Sequence, residues 1–291
     1  MDFVKEYHKV IRLKMKTLGI KSRMVKTSVT DQHLYDIPGK GTLPTIVVLH
    51  GIGGGSTPFE KMLYILQRFS KRILVPEAPG HGFSQFPTDK VNVETVYEGI
   101  ASILDSELDE KPIIFGNSMG GAIAIKYAIE NPEKVLALSL CSPGGAYMTP
   151  ENWANFLNRF RLKDKIDAIN FMNSIIYKPS PFSFLLSDHI LETVGNPFIQ
   201  ELINTVSADT LFTPEQLASL KMPIQLIWGK ADRLMLKEHL DFYKKYLPKQ
   251  TIIEEPEDFG HCPFLDRPVE LSARVINFIQ KVDNELKIEI R

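Results

Sequence analysis

Short, continuous apolar runs alternate along this chain with longer segments in which apolar residues recur every three or four positions. The runs predict strands that are buried on both faces, and the longer segments predict amphipathic helices. The predicted strands are residues 45–49, 73–76, 113–115, 135–140, 222–229 and 251–254; the predicted helices are residues 59–69, 93–108, 122–130, 238–246 and 268–281, before a polar tail at 283–291. This alternation predicts the α/β class, with a mostly parallel, twisted sheet covered by helices on both faces.

The alternation is interrupted in two places. Near the start, residues 23–29 alternate in polarity and predict an edge strand, whose hairpin partner is residues 34–37. Between residues 146 and 206 the strands stop, and an apolar, aromatic segment with helical periodicity takes their place. We therefore predict one core in two parts, residues 1–145 and 207–291, which are separated by this helical insertion.

Residues 1–20 form a lysine-rich segment in which Val4, Tyr7, Val10 and Ile11 recur at helical spacing. Two interpretations of this predicted helix stay open: packing on the body of the protein, or binding to a membrane surface as a basic amphipathic helix. The segment has no continuous apolar core of the length that a signal peptide needs, so we expect none. Since no run in the chain approaches about 18 apolar residues, we also expect no membrane-spanning segment.

Composition narrows the classes of function. The chain has 291 residues, a formal charge of −1 and 44% hydrophobic residues, which is typical of a globular protein. A charge this close to zero does not favour a nucleic-acid surface, so we expect no nucleic-acid partner. Cys141 and Cys262 make neither a disulfide framework nor a paired metal-ligand spacing. We therefore expect a cytoplasmic protein without a metal site, while its oligomeric state stays open.

The strongest local signal is the sequence Gly116-Asn117-Ser118-Met119-Gly120, which follows an apolar strand and precedes a helix rich in Ala and Ile. Gly-x-Ser-x-Gly at such a turn is the pattern of a nucleophile elbow, where the serine sits in a strained backbone conformation. The two glycines are needed because a Cβ there would clash with the neighbouring strand and helix. Ser118 is thus the candidate nucleophile, and the Met119 N–H at the helix N-terminus is a free donor.

A serine hydroxyl becomes a good nucleophile only when an oriented base removes its proton. Asp232 and His261 supply a carboxylate and an imidazole, and each lies just beyond a predicted strand. Ligands of parallel sheets bind beyond the carboxyl ends of the strands, where Ser118 also lies. The order Ser, Asp, His along the chain is that of the α/β-hydrolases.

With these motifs, the chain resembles the α/β-hydrolase fold family over residues 21–281. The matching motifs, in the family's order, are His50-Gly51, Pro79-Gly80-His81-Gly82, Gly116-Asn117-Ser118-Met119-Gly120-Gly121, Gly229-Lys230-Ala231-Asp232 and Gly260-His261. The resemblance implies a catalytic triad in which Asp232 and His261 act as the acid and the base for Ser118.

The resemblance has three further implications. The N–H of Ile52, the residue after His-Gly, joins the N–H of Met119 in an oxyanion hole. Residues 146–206 correspond to a helical lid over the site. Acyl transfer by such a site requires no cofactor, and the expected partner is a small-molecule ester.

Other residues near these motifs could take the same roles. Asp258 and Asp266 lie close to His261 in the sequence, but neither follows a strand in a Gly-x-x-Asp segment. Cys262, next to the base, is predicted to be a packed residue and not a second nucleophile. His50 and His81 are expected to be structural residues of their loops. Three histidines without a motif are expected outside the site: His33, His189 and His239.

The substrate prediction is a small to medium carboxylic ester. The elbow also resembles that of hydrolases that cleave C–C bonds in dienoic ring-fission products, which carry an arginine in the lid. Arg159 and Arg161 are the available lid arginines, but Cys262 stands where those hydrolases have a tryptophan, and the glycine-rich loop differs. C–C bond hydrolysis therefore stays an alternative, as does a hydrolase fold that only binds a ligand.

Overall fold

The structure, a computed structural model, describes the fold of residues 3–17, 19–88 and 91–289. The side chains of Val4 and Tyr7 lie outside the described residues. The strands are β1 (Lys21–Lys26), β2 (Asp31–Pro38), β3 (Ile46–Leu49), β4 (Arg72–Pro76), β5 (Ile113–Asn117), β6 (Ala137–Cys141), β7 (Ile224–Ile227) and β8 (Ile252–Glu254).

Helices separate most of these strands along the chain. They are α1 (Phe3–Thr17), α2 (Glu60–Gln67), α3 (Val93–Glu107), α4 (Met119–Glu130), α5 (Pro150–Asn158), α6 (Lys165–Ile175), α7 (Ser187–Thr193), α8 (Pro197–Thr205), α9 (Pro214–Ala218), α10 (Lys237–Tyr246), α11 (Pro263–Asp266) and α12 (Pro268–Glu289). None of the helices in the described ranges has both the length and the apolar character needed to cross a bilayer.

The strands form one eight-stranded sheet in the order β1-β2-β4-β3-β5-β6-β7-β8. Strand β2 is antiparallel to β1 and β4, and all other pairs are parallel, so the predicted α/β sheet is confirmed. The edge hairpin also forms, but its first strand ends at Lys26 and not at residue 29. The reason is a turn in which the Thr27 hydroxyl donates to the carbonyl of Thr30 and accepts from the N–H of Val29.

Helices cover both faces of this sheet. In β3, Ile46 and Val48 belong to one apolar core, and Val47 and Leu49 belong to the other, because successive side chains of a strand point to opposite faces. Helices α1, α2 and α12 pack on the first face, and α3, α4, α9 and α10 pack on the second.

The N-terminal helix packs on the body of the protein, as one of the two interpretations predicts. Ile11 and Met15 are buried against the first core, and Lys14 Nζ lies 2.6 Å from Glu60 Oε1 of α2. Val10, which the spacing assigns to the same apolar set, is instead exposed. The apolar face of α1 is therefore centred on residues 11 and 15.

The prediction of a polar tail at residues 283–291 is wrong for residues 283–289, because α12 continues to Glu289. Val282 is buried and Leu286 packs against the first core. The apolar residues of α12 therefore continue at helical spacing among the polar residues of this last segment. Lys287 and Asp283 form an ion pair one helical turn apart, which stabilises the last turns.

The insertion, residues 146–206, contains α5 to α8 and lies between β6 and β7. Its helices begin where the sequence provides caps. The Thr149 hydroxyl accepts from the Asn152 N–H before α5, and the Asp164 carboxylate accepts from two N–H groups at the start of α6. The predicted boundaries at residues 146 and 206 stay predictions.

The turn between β5 and α4 has the geometry of the predicted elbow. Ser118 has φ 53° and ψ −119°, a strained combination for a residue with a Cβ. A Cβ on Gly116 would lie 2.4 Å from the carbonyl oxygen of Gly120, and a Cβ on Gly120 would lie 2.4 Å from that of Leu49. The two glycines are therefore required by close approach of backbone to backbone.

We expect Gly116→Ala to lower the free energy of unfolding by about 2–3 kcal/mol, because the new methyl group meets backbone that cannot move aside. Gly144→Ala is the control, since the nearest atom to its Cβ would be the Ser118 carbonyl oxygen at 3.6 Å. Urea denaturation of both variants measures the difference. Equal midpoints for the two variants would contradict the steric explanation.

Candidate active site

Ser118, Asp232 and His261 follow β5, β7 and β8, and so lie at the carboxyl edge of the same parallel sheet. The elbow and the loop after β8 are also joined directly. The side-chain amide of Asn117 donates to the carbonyl of His261 at 2.9 Å and to the carbonyl of Cys141 at 3.1 Å. The residue before the candidate nucleophile therefore contacts the backbone of the candidate base.

Asp232 and His261 form a hydrogen-bonded pair that is almost completely buried. His261 Nδ1 lies 2.9 Å from Asp232 Oδ2, and the two side chains are 3% and 0% exposed. The other carboxylate oxygen of Asp232 accepts from the N–H groups of Leu234 and Met235, both at 2.9 Å. These contacts satisfy the carboxylate without solvent.

The protonation of this pair follows from its surroundings. Burial opposes ionisation of Asp232, but the His261 ring and the Met235 N–H outweigh it and hold the pKa of Asp232 below its ordinary value. An ionised carboxylate can only accept hydrogen bonds, so His261 Nδ1 carries the proton. The Nε2 atom of a neutral His261 is then left with its lone pair, as a general base requires.

The loop after β3 passes close to the candidate nucleophile. A Cβ on Gly51 would lie 3.2 Å from the Ser118 Cβ, so any larger residue there would crowd the candidate nucleophile. In the described part of the chain, the N–H groups of Ile52 and Met119 donate no backbone hydrogen bond outside helices and strands. The Met119 N–H is the first of α4 and has no partner within that helix. Both predicted oxyanion donors thus belong to segments next to Ser118.

His50 is a structural residue of this loop. Its Nδ1 donates to the carbonyl of Gly51 at 2.8 Å, and its Nε2 accepts from the N–H of Ala78 at 3.0 Å. With both ring nitrogens engaged, His50 cannot exchange a proton with a substrate. His81 has a similar role, because its Nδ1 donates to the carbonyl of Pro79 and burial lowers the pKa of His81 to about 3.

Glu77 is a buried carboxylate that the sequence analysis missed. It accepts from His33 Nδ1 at 3.1 Å, from the Ser56 N–H at 2.8 Å and from the Phe83 N–H at 2.6 Å. Burial opposes its ionisation, but the His33 ring and the two N–H groups hold the pKa of Glu77 below its ordinary value. Glu77 therefore fixes both the end of the glycine-rich loop and the loop that carries residues 80–84. Its position directly after β4 is the signal that could have identified it.

The other candidate residues have different environments. Asp258 is 43% exposed and pairs with Arg267, and Asp266 accepts from the N–H of Tyr177 in the insertion. Burial raises the pKa of the Cys262 thiol well above its ordinary value, which keeps it protonated. His239, expected outside the site, is buried at the start of α10, where burial lowers its pKa to about 4.

The insertion contacts both loops that carry the buried pair. The N–H of Arg233, after Asp232, donates to the carbonyl of Ser174, and the N–H of Cys262, after His261, donates to the carbonyl of Ile175. These two acceptors are consecutive residues at the C-terminal end of α6. The insertion is therefore part of the surroundings of the site and not a separate body.

Within the described ranges, no three His, Cys, Asp or Glu side chains are grouped as a metal ion would require.

Comparisons with known proteins agree with this architecture. A family model for the alpha/beta hydrolase fold matches residues 44–166. The monoacylglycerol lipase ABHD6 of Bos taurus is 26% identical over 299 residues, which cover 94% of this chain and 87% of the relative. The solved structure of a membrane phospholipase A has a TM-score of 0.83 at 21% identity, and covers 96% of this chain and 92% of its own. The solved structure of a 2-hydroxy-6-oxo-6-phenylhexa-2,4-dienoate hydrolase from Rhodococcus sp. strain RHA1 has a TM-score of 0.77 at 21% identity. The match covers 90% of this chain and 99% of that hydrolase.

We expect Glu77→Gln to lower the free energy of unfolding by about 3 kcal/mol, because an amide replaces the buried carboxylate that accepts hydrogen bonds from His33 and from two backbone N–H groups. Glu257→Gln is the control, since the Glu257 side chain is 79% exposed and pairs with Lys230 at the surface. Urea denaturation at neutral pH measures both. The assignment is wrong if the two variants unfold at the same midpoint.

Proposed function

Because the chain belongs to the α/β-hydrolase fold family, we propose that it is a serine hydrolase of the lipase and esterase kind that cleaves a carboxylic ester. The buried hydrogen bond between His261 and Asp232, at the sheet edge that also bears Ser118, is the observation that carries this proposal. A protonated Nδ1 and an available Nε2 are the state in which imidazole acts as a general base.

The proposed reaction has two halves. His261 takes the proton of the Ser118 hydroxyl while the oxygen attacks the ester carbonyl, and the resulting oxyanion accepts from the N–H groups of Ile52 and Met119. When the C–O bond breaks, His261 gives the proton to the leaving alcohol and an acyl-serine remains. Water then attacks this acyl group with the same base, which releases the acid and restores Ser118. Asp232 stabilises the imidazolium in both halves.

Two observations support an ester in preference to a dienoic C–C substrate. The lid arginines have other partners: Arg159 donates to the carbonyls of Arg233 and Leu234, and Arg161 is exposed and donates to Asn158. The monoacylglycerol lipase among the relatives is named for ester hydrolysis. The insertion also carries buried apolar side chains, which is the character expected next to an acyl group: Phe160, Phe171, Ile175, Val194, Phe198 and Ile199.

The insertion is proposed to be the lid that selects the acyl group. Its Val194 lies against the oxyanion loop, since a Cβ on Gly53 would lie 2.8 Å from Val194 Cγ2. Its Phe198 lies against the loop after β4, since a Cβ on Gly80 would lie 2.4 Å from its ring. Apolar side chains of the insertion thus border the loop that carries the proposed oxyanion donor Ile52 and the loop after β4.

We expect the protein to hydrolyse p-nitrophenyl esters, with an optimum in a series of rising acyl length, and Ser118→Ala to lower kcat by at least about 10³-fold while the fold is kept. A fluorophosphonate should label Ser118 in the native protein but not in His261→Ala. Wild-type kcat in Ser118→Ala would refute the nucleophile assignment. Rapid cleavage of a dienoic ring-fission product by a protein inert towards esters would favour the C–C alternative.

We expect Asp232→Asn to lower kcat by up to about 10⁴-fold, because an amide in place of the carboxylate favours the wrong tautomer of His261. Asp258→Asn is the matched control, since this nearby carboxylate instead pairs with Arg267. Steady-state kinetics on the best ester of the series measures both variants. A loss of less than tenfold in Asp232→Asn would show that another carboxylate supports the base.

A further inference from the structure

Arg159, at the C-terminal end of α5 in the insertion, reaches the loop that carries Asp232. Its Nη1 lies 2.5 Å from the carbonyl oxygen of Arg233 and 2.7 Å from that of Leu234. Arg161, two residues further on, is exposed, and its guanidinium donates to the side chain of Asn158. The two lid arginines therefore differ, because Arg159 contacts the core and Arg161 contacts the last residue of α5.

The carbonyls that Arg159 holds belong to two particular peptide groups. The N–H in the peptide group of the Arg233 carbonyl is that of Leu234, and the N–H in the peptide group of the Leu234 carbonyl is that of Met235. These are the two N–H groups that donate to Asp232 Oδ1, both at 2.9 Å. One guanidinium thus holds the far side of both peptide groups that bind the buried carboxylate.

A peptide group is planar and rigid, so the position of its carbonyl oxygen determines the direction of its N–H. A charged donor on the carbonyl also polarises the group and strengthens the hydrogen bond on its other side. The resulting chain of contacts runs from Arg159 through two peptide groups to Asp232 Oδ1, and from Asp232 Oδ2 to His261 Nδ1.

The same loop is held from a second helix of the insertion. The guanidinium of Arg233 donates to the carbonyls of Asn173 and Ile176, both at 2.7 Å, and at longer distance to that of Tyr177. The backbone N–H of Arg233 also donates to Ser174. Because α6 already holds the loop in place, removal of Arg159 should alter the orientation of the two peptide groups without detaching the loop.

We propose that Arg159 is a positioning residue for the triad, which aligns the Asp232 carboxylate with His261 through the two peptide groups after Asp232. The proposal rests on the proposed roles of Asp232 and His261. It gives the insertion a function in the chemical step besides its selection of substrate. Arg159 itself touches neither the substrate nor the reacting atoms.

The kinetic test compares Arg159→Ala with the matched control Arg161→Ala on the best p-nitrophenyl ester. We expect Arg159→Ala to lower kcat by about 10- to 100-fold, as small misplacements of catalytic groups do, with KM changed less than about threefold. Arg161→Ala should behave as the wild-type protein. Arg159→Lys should recover part of kcat, because an ammonium can still donate to these carbonyls. Equal kinetics in Arg159→Ala and Arg161→Ala, or a change in KM alone, would overturn the proposal.

A double variant separates positioning from a general effect on the lid. If Arg159 acts through Asp232, Arg159→Ala should cause little further loss in an Asp232→Asn background. The same 10- to 100-fold loss in both backgrounds would show that Arg159 acts elsewhere. Circular dichroism and the thermal midpoint establish that each variant is folded, and Arg159→Lys replaces Arg159→Ala if the latter is not.

A spectroscopic test does not depend on any substrate. The proton between His261 Nδ1 and Asp232 should give a low-field ¹H NMR signal, assigned by its loss in His261→Ala. We expect Arg159→Ala to shift or broaden this signal and Arg161→Ala to leave it unchanged. An unchanged signal in Arg159→Ala refutes the positioning role even if an ester is cleaved. A shifted signal in a protein that cleaves no ester would leave the positioning role standing while the proposed reaction fails.

Discussion

The arrangement of the site depends on one buried carboxylate. Removing the charge of Asp232 from water is costly unless hydrogen bonds replace the lost solvation, and here His261 and two backbone N–H groups replace it. Each of these donors must be held in place, which explains why so many contacts converge on the loop after β7. Contacts from the ends of α5 and α6 hold that loop. The ionised state of Asp232 therefore depends on how the insertion packs on the core.

A second buried carboxylate has the corresponding role on the other side of β5 in the strand order. Glu77, at the end of β4, accepts from His33 and from the N–H of Ser56, which directly follows the glycine-rich loop. One carboxylate thus orients the ring of the proposed base, and the other orders the loop of a proposed oxyanion donor. Between them, Ser118 is held by the strained elbow, whose flanking glycines admit no Cβ. The site is therefore held in place by contacts within the protein itself.

Elements with strong local patterns could be predicted from the sequence. The central strands are continuous apolar runs because both of their faces are covered. The elbow is recognisable because close backbone contacts require glycine at residues 116 and 120. The ends of elements were less predictable. The first strand stops early because Thr27 closes a turn with Thr30, and α12 extends because Val282 and Leu286 still meet the core. Those outcomes depend on partners that a local pattern does not contain.

The sequence by itself determined the α/β alternation, the helical insertion and the candidate trio Ser118, Asp232 and His261, because periodicity and turn chemistry act over a few residues. The tertiary structure decided what supports that trio. His33 and Glu77 are 44 residues apart, and Arg159 and Arg233 are 74 apart, so no spacing rule joins them. Arg159, one of two arginines that looked equivalent in the sequence, contacts the loop of Asp232 only because α5 packs there, since a guanidinium takes whichever carbonyls the fold places within its reach.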